Sequence, residues 1–238
     1  MKRILVTNDD GIKADGLIRL VQCAKKFGEV TVVAPAEQRS AASHSITLRH
    51  EIEVYPYDFP VEGVFAFSCS GTPADCVRLG VLSLMDERPD AIFSGINFGY
   101  NVASDLQYSA TAGAAFEGEF QGFLSVAFSE GINGCHEVTD MYLEQLMEEM
   151  LDKPYIPGII HNINFPQCKL TECRGILRDR KVSRHSFYRD RYKKIQELNA
   201  GGAVYIVDGV YEPVSEEGTD YGAILSNYVS VGTVGNLA

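Results

Sequence analysis

The stretch Ile4-Leu5-Val6-Thr7-Asn8-Asp9-Asp10-Gly11 joins a short apolar run to a cluster of turn-forming residues near the start of the chain. The apolar run predicts a buried strand, and the residues after it predict a loop at the carboxyl end of that strand. Two adjacent carboxylates repel each other unless a cation or a shared proton compensates their charge. A divalent ion would compensate both charges, but the pair by itself is explained more readily by one Asp that caps the following segment while the other faces water.

The alternation of an apolar strand with a helix continues downstream of this stretch. A helix is predicted behind Asp15 as a possible N-cap, with Gly28 placed to end it. The further predicted strands are Val30 to Ala34, Val64 to Ser68, Ala91 to Ser94, Leu124 to Phe128, Ile159 to Ile163 and Tyr228 to Val231, and the further predicted helices are Pro73 to Met85, Ala112 to Gln121, Thr139 to Leu151 and Tyr221 to Leu225. Unbroken apolar strands separated by helices are typical of an α/β fold whose parallel sheet is covered on both faces.

The chain changes character after about residue 168. The segment from Arg178 to Lys194 holds eight of the 21 Lys and Arg residues, interleaved with aromatic residues. We expect residues 1–238 to form one α/β domain, with a basic, β-rich excursion and C-terminal extension over approximately residues 168–238. The basic segment is either a solvated or intersubunit face, or a surface that attracts phosphorylated substrates.

Composition limits the classes of function. The formal net charge of −11 argues against a protein that grips a long polyanion, so we expect no stable nucleic-acid complex. The apolar run after the first three residues is too short for a signal peptide, and no apolar stretch approaches a membrane span. We therefore expect a soluble, cytoplasmic protein without a membrane partner.

Three further loops carry candidate ligands, because ligands of open parallel sheets bind beyond the carboxyl ends of the strands. After the second strand, Arg39 is a candidate phosphate partner and Ser40 a neutral oxygen ligand, whereas His44 more readily fits a surface or structural role than proton transfer. After the strand that ends at Ser94, Asn97 offers an amide oxygen.

The start of the helix after Tyr108 is a candidate phosphate seat. Ser109 and Thr111 flank a helix N-terminus, where hydroxyl and amide donors can meet an anion. The alternative is that one of them serves only as the N-cap. The fourth loop, with Thr72 before Pro73, is explained by helix capping alone.

The candidate ligands Asp9, Asp10, Ser40 and Asn97 all donate oxygen, which suits Mg²⁺, Mn²⁺ or Ca²⁺ better than zinc or copper. The sequence lacks the glycine-rich nucleotide loops and the hydrolase motifs GxxxxGK[ST], GxGxxG, HExxH and GxSxG. Kinase, dinucleotide-binding and serine-hydrolase interpretations therefore lose support.

Taken in order, these loops resemble those of the SurE family of survival-protein nucleotidases. The stretches that carry the resemblance are Ile4 to Gly11, Ala34-Pro35 with Arg39-Ser40, Gly71 to Val77, Ser94 to Asn97 with Gly99 and Asn101, Tyr108-Ser109 with Thr111, and Gly113 to Ala115 with Glu117-Gly118. They cover the first half of the chain at the proper order and spacing.

The resemblance implies a Rossmann-like α/β fold with a C-terminal extension used in oligomerisation, giving a homodimer or homotetramer. It implies hydrolysis of nucleoside 5′-monophosphates, with 3′-monophosphates and short polyphosphate as further substrates. One divalent ion per subunit, Mg²⁺ or Mn²⁺, would be bound by Asp9, Asp10, Ser40 and Asn97.

Two positions depart from the family pattern. Ala41 stands where glycine usually follows Arg-Ser, and Ala110 interrupts what is usually Ser-Gly-Thr. If either position requires positive φ, alanine would strain the loop by roughly 1 kcal/mol.

As a mechanism, we expect the ion to polarise a phosphoryl oxygen and activate a water, with Asp9, Asp10 and Asn97 as catalytic residues and Ser109, Thr111 and Arg39 as phosphate contacts. Three rivals remain. A nucleotide-binding protein could retain the pocket without turnover, and a receiver-like module could accept one phosphoryl group. A haloacid-dehalogenase-type phosphatase places its second Asp two residues after the first, whereas here the two are adjacent.

Overall fold

The computed structural model describes residues 1–235 as strands and helices in alternation. The strands are β1 (Lys2–Thr7), β2 (Gly28–Pro35), β3 (Val54–Pro56), β4 (Phe65–Cys69), β5 (Ala91–Phe98), β6 (Leu124–Glu130), β7 (Ile159–Phe165), β8 (Ile176–Arg180), β9 (Tyr188–Arg189), β10 (Tyr192–Glu197), β11 (Ala203–Val207), β12 (Val210–Tyr211) and β13 (Val229–Gly235). The helices are α1 (Asp15–Ala24), α2 (Pro73–Leu79), α3 (Ala110–Phe120), α4 (Glu137–Leu151) and α5 (Asp220–Leu225).

Within residues 1–235 the main sheet has the order β3-β4-β2-β1-β5-β6-β7-β13-β8. The strands from β4 to β7 are parallel, as predicted. The sheet is not wholly parallel, because β3 pairs antiparallel with β4 and β13 pairs antiparallel with β7. The α/β class is confirmed, with antiparallel strands added outside the parallel centre.

Strand β1 lies between β2 and β5 in the main sheet, and both of its faces are buried. Ile4 and Val6 pack into one apolar cluster together with Leu17 of α1. Leu5 points to the other face and packs in a second cluster with Val77 of α2. Burial on both faces explains why this strand is an unbroken apolar run and not an alternation of apolar and polar residues.

Three predicted boundaries are wrong in informative ways. Asp15 is the first residue of α1 and not its N-cap, which is Ala14 without a side-chain cap. Gly28 begins β2, where a side chain is excluded because a Cβ would lie 1.9 Å from the carbonyl oxygen of Lys2. β5 continues past Ser94 to Phe98, so Asn97 lies at the end of a strand and not in a free loop.

The C-terminal part of the described chain confirms the predicted extra strands. β10 pairs with β11, and β12 pairs with β9, in two separate antiparallel ribbons. The β10–β11 ribbon exposes large apolar side chains, including Tyr192 at 72% and Ile206 at 53%. Among residues 1–235, no helix is long and apolar enough to cross a membrane.

The N-terminus of α2 is fastened by Asp75, which does more than the predicted capping. Thr72 and Asp75 form a capping box. The Asp75 carboxylate also accepts hydrogen bonds from the amide of Thr47, at 3.0 Å, and from its hydroxyl, at 2.7 Å. Burial raises the pKa of Asp75, but the hydrogen bonds from Thr47 and Thr72 outweigh it, so that the pKa lies below its ordinary range.

We expect Asp75→Asn to lower the free energy of unfolding by about 1–3 kcal/mol at pH 7, because an amide would turn one donor toward the donors of Thr47 and Thr72. A carboxylate whose pKa is lowered in the folded state stabilises the fold at pH values above its ordinary pKa near 4. This contribution is lost as the pH falls through the pKa of the folded state. Urea unfolding at pH 7 and pH 3 should therefore show a smaller difference between variant and wild type at pH 3. Asp58→Asn, at an exposed carboxylate, is the control, and an equal effect of the two variants would contradict the assignment.

Candidate functional site

The two carboxylates and Asn97 lie at the carboxyl ends of adjacent parallel strands. Thr7, the last residue of β1, pairs with Ser94 of β5. Asp9 and Asp10 follow β1 directly, and Asn97 lies three residues beyond Ser94. The fold therefore brings these side chains to one edge of the sheet, as the sequence predicts.

Asp9 is the point at which three segments of chain meet. Its side chain is buried, with 3% exposure for the residue, and its Oδ1 accepts a hydrogen bond from the hydroxyl of Thr111 in α3. Its main-chain carbonyl accepts a 2.7 Å hydrogen bond from the amide of Arg39 in the loop after β2. The end of β1, the start of α3 and the β2 loop are thus fixed relative to one another.

Asp10 links the same strand end to two other candidate ligands. Its Oδ2 accepts a 3.0 Å hydrogen bond from the amide of Phe98, the residue after Asn97. Its Oδ1 accepts a 3.2 Å hydrogen bond from Gln38, whose amide nitrogen also lies 3.0 Å from the Oγ of Ser40. Gln38 therefore bridges two residues that the sequence pattern nominates as ligands.

Asn97 is half-buried, and its amide nitrogen donates a 2.8 Å hydrogen bond to the carbonyl of Gly99. This contact holds the amide group in one orientation. It also engages the nitrogen, so Oδ1 is the side-chain atom left for a ligand.

The electrostatics of this edge favour a cation. Burial raises the pKa of Asp9 to about 6; the hydrogen bond from Thr111 opposes this shift, and the negative charge of Asp10 adds to it. Burial also raises the pKa of Asp10, against hydrogen bonds from Phe98 and Gln38. Neighbouring carboxylates with raised pKa values mark a place where negative charge lacks a partner.

The donor set fits a hard divalent ion. Two carboxylates, one hydroxyl and one amide oxygen are the ligand types that Mg²⁺ and Mn²⁺ accept. The nearby Oδ1 of Asn8 is also buried without a hydrogen-bond partner among the described residues. In the same range, residues 1–235, no group of three or more His, Cys, Asp or Glu side chains is placed to hold a metal ion.

The three candidate phosphate contacts differ in what their side chains contact. Ser109 is the N-cap of α3, and its Oγ accepts a 3.0 Å hydrogen bond from the amide of Ala112. Thr111 is fully buried against Asp9. The guanidinium of Arg39 donates to the carbonyl of Ser70 at 2.9 Å, so this side chain is engaged with the protein and would have to turn to contact a phosphate.

Two of the contacts found in the structure were not predicted from the sequence. Gln38 carries no motif signal beyond its position next to Arg39-Ser40. His44 pairs with Glu117, at 2.9 Å between its Nε2 and the carboxylate, across 73 residues of chain. The only signal for this pair is a His in a long polar loop and one of two Glu residues in an otherwise apolar helix.

The two alanines that depart from the family pattern behave differently. Ala41 has φ of 57°, in the left-handed region that favours glycine. Ala110 is the first residue of α3 and lies outside that region. The predicted strain therefore applies at Ala41 and not at Ala110.

Comparison with known proteins places this chain in a family. The model of the family described as "Survival protein SurE" matches residues 4–187. A protein of Thermosipho melanesiensis named 5′-nucleotidase SurE is 36% identical over 231 residues, which cover 96% of this chain and 89% of the relative. A protein of the same name from Alkalilimnicola ehrlichii is 38% identical over 240 residues, covering 97% of this chain and 88% of the relative.

A solved structure is also similar over nearly the whole chain. The crystal structure of the SurE protein from Aquifex aeolicus superposes with a TM-score of 0.83 at 32% sequence identity. The match covers 99% of this chain and 94% of that one.

We expect Ala41→Gly to raise the free energy of unfolding by up to about 1 kcal/mol, because glycine adopts the left-handed conformation without the clash of a Cβ. Thermal unfolding would measure the gain. Ala42→Gly is the matched control, since Ala42 lies outside the left-handed region and glycine there should be neutral or destabilising. Equal shifts in both variants would contradict the strain at Ala41.

Proposed function

The chain belongs to the SurE family of survival proteins and is a 5′-nucleotidase, and from this premise we propose that it hydrolyses nucleoside 5′-monophosphates with one divalent metal ion per subunit. The proposal rests on the convergence of Asp9, Asp10, Ser40 and Asn97 at the carboxyl edge of the sheet. Mg²⁺ and Mn²⁺ are the ions that this all-oxygen donor set suits best.

We propose that Asp9, Asp10, Ser40 and Asn97 hold the ion. When bound, it polarises a phosphoryl oxygen and lowers the pKa of a water molecule. The raised pKa values of the two aspartates support the assignment, because a cation would relieve both the burial and the mutual repulsion of their charges. Gln38 would keep Ser40 close to Asp10 through its bridging amide.

The chain's own residues then act on the two ends of the scissile bond. One of the two aspartates orients the attacking water and accepts its proton as the water oxygen bonds to phosphorus. The bond from phosphorus to the nucleoside oxygen breaks, and that oxygen leaves as a hydroxyl group after taking up the proton that the aspartate accepted or one from solvent water. The hydroxyl of Ser109 and the amides at the start of α3 stabilise the negative charge on the other phosphoryl oxygens. Thr111 and Arg39 contribute once the Thr111 hydroxyl leaves Asp9 and the Arg39 guanidinium leaves Ser70.

We expect breadth in the substrate, including 3′-monophosphates and short polyphosphate, because the proposed contacts all address the phosphoryl group. We expect no tight binding of a long nucleic acid, because the net charge of −11 opposes binding of an extended polyanion.

Asp9→Asn and Asn97→Ala should each lower metal-dependent release of phosphate from nucleoside monophosphates by more than about 100-fold, because the first removes the negative charge of a ligand and the second removes a ligand. Phosphate release would be measured over a panel of nucleotides and polyphosphate with Mg²⁺, with Mn²⁺ and with chelator. Asp15→Asn, an exposed carboxylate at the start of α1, is the matched control and should keep wild-type turnover.

Near-normal turnover in both variants would contradict the proposed site. Full wild-type activity in chelator would contradict the metal dependence. Tight nucleotide binding by the wild-type protein without phosphate release in either metal would favour a binding role, and a single stoichiometric phosphorylation would favour a receiver-like module.

We also propose that the chain forms a homodimer or homotetramer through the C-terminal ribbon. An isolated two-stranded ribbon is only marginally stable in water, yet β10 and β11 expose Tyr192, Ile195 and Ile206. Apolar side chains on a projecting ribbon are best accounted for by a second copy of the chain that covers them.

Light scattering after gel filtration should give a mass of two or four chains for the wild-type protein, and Ile206→Asp should lower it, because a buried carboxylate would disfavour the contact. Leu82→Asp changes an equally apolar residue, 61% exposed and far along the chain from the ribbon, and should leave the mass unchanged. A monomeric wild type, or equal effects of the two variants, would contradict the proposal.

A further inference from the structure

The long loop between β2 and β3 carries Ser40 and is tied to α3 by a contact between His44 and Glu117. His44 in this loop lies 2.9 Å from a carboxylate oxygen of Glu117 in the middle of α3. Glu117 is buried, with 3% exposure, and also lies 3.1 Å from Arg78 of α2 and accepts a 2.8 Å hydrogen bond from Gln121. Burial raises the pKa of Glu117, but these partners outweigh it and hold the pKa below its ordinary range.

The backbone of the loop lies against the same helix. The amide and hydroxyl of Ser43 donate to the carbonyls of Tyr108 and Gln107, both at 3.0 Å, just before α3 begins. At Gly113 the approach is so close that a Cβ would lie 2.3 Å from the carbonyl oxygen of Ser43. The helix and the loop therefore fit together along several residues, with the imidazole of His44 at the end of the contact.

His44 is not placed to transfer a proton to substrate. Its Nε2 is engaged by Glu117, and its ring packs against Phe116 and Phe120, with centroid distances of 6.5 and 5.1 Å. What the pair does is join two segments that each carry part of the proposed site. The loop contributes Ser40, and α3 contributes Thr111, which binds Asp9.

We propose that His44 is a positioning residue for the hydrolysis: its pair with Glu117 fixes the Ser40 loop on α3, so that the metal ligand Ser40 and the Thr111 end of the phosphate seat keep their relative placement. This inference rests on the proposed function. The reason for a large effect is that catalysis falls about 100-fold when a reacting group is displaced by about 1 Å.

Glu117 offers a matched control, because it has a second partner, the cationic Arg78, that does not belong to the loop. Arg78→Gln removes a charge partner of the same buried carboxylate while leaving His44 and the loop in place. His44→Ala and Arg78→Gln should therefore lower the melting temperature similarly, whereas only His44→Ala should release the loop. His44→Gln keeps a side-chain N–H that can donate to Glu117 and should restore the fastening.

For His44→Ala we expect a loss of about 10- to 100-fold in kcat, or a similar rise in the metal concentration needed for half-maximal rate, as for residues that orient metal ligands. Arg78→Gln and His44→Gln should stay within about threefold of wild type in both. Hydrogen exchange of residues 39–47 should accelerate in His44→Ala and not in Arg78→Gln.

If His44→Ala and Arg78→Gln give the same kcat and the same metal dependence, the positioning role is overturned and the pair only stabilises the fold. If His44→Gln is as impaired as His44→Ala, the fastening contact is not what matters, and the proposal is equally overturned. A wild-type protein without metal-dependent phosphate release would instead refute the proposed function, and the hydrogen-exchange comparison would still decide whether His44 fastens the loop.

Discussion

The carboxylate of Asp9 is buried, and the arrangement of the surrounding segments depends on the contacts that this residue makes. Its side chain takes a hydrogen bond from Thr111, and its backbone carbonyl takes one from Arg39. A buried carboxylate beside a second one costs free energy unless protons, hydrogen bonds or a cation offset the charge. The same contacts that limit this cost also fix the first strand, the long loop and α3 in one arrangement.

Helix α3 serves as the common support of the site. Ser109 caps its start, Thr111 binds Asp9, Gly113 admits the backbone of the loop, and Glu117 holds His44. A regular helix can position four such contacts because its residues have little freedom relative to one another. The long loop, which has no regular structure of its own between β2 and β3, takes its shape from these contacts.

The parts of this arrangement that follow from local pattern were predictable from the sequence. Burial on both faces made β1 an unbroken apolar run, and parallel strands bring Asp9 and Asn97 to one edge. The rest depends on tertiary contacts that leave no local trace. β5 extends to Phe98 because its end pairs with β6 and Asp10, and Gln38 and Glu117 acquire their partners only when distant segments pack. The αL conformation of Ala41 likewise runs against the preference of its residue type.

The hydrogen bond between Thr111 and Asp9 joins residues that are 102 positions apart. Contacts of such long sequence separation must offset the entropy of loop closure, and this one cannot form before both segments have been synthesised. During synthesis, β1 emerges with its carboxylate pair long before α3 exists to receive it. The aspartates thus spend the early life of the chain in water, and they enter their buried environment only when the first half of the sheet has been completed.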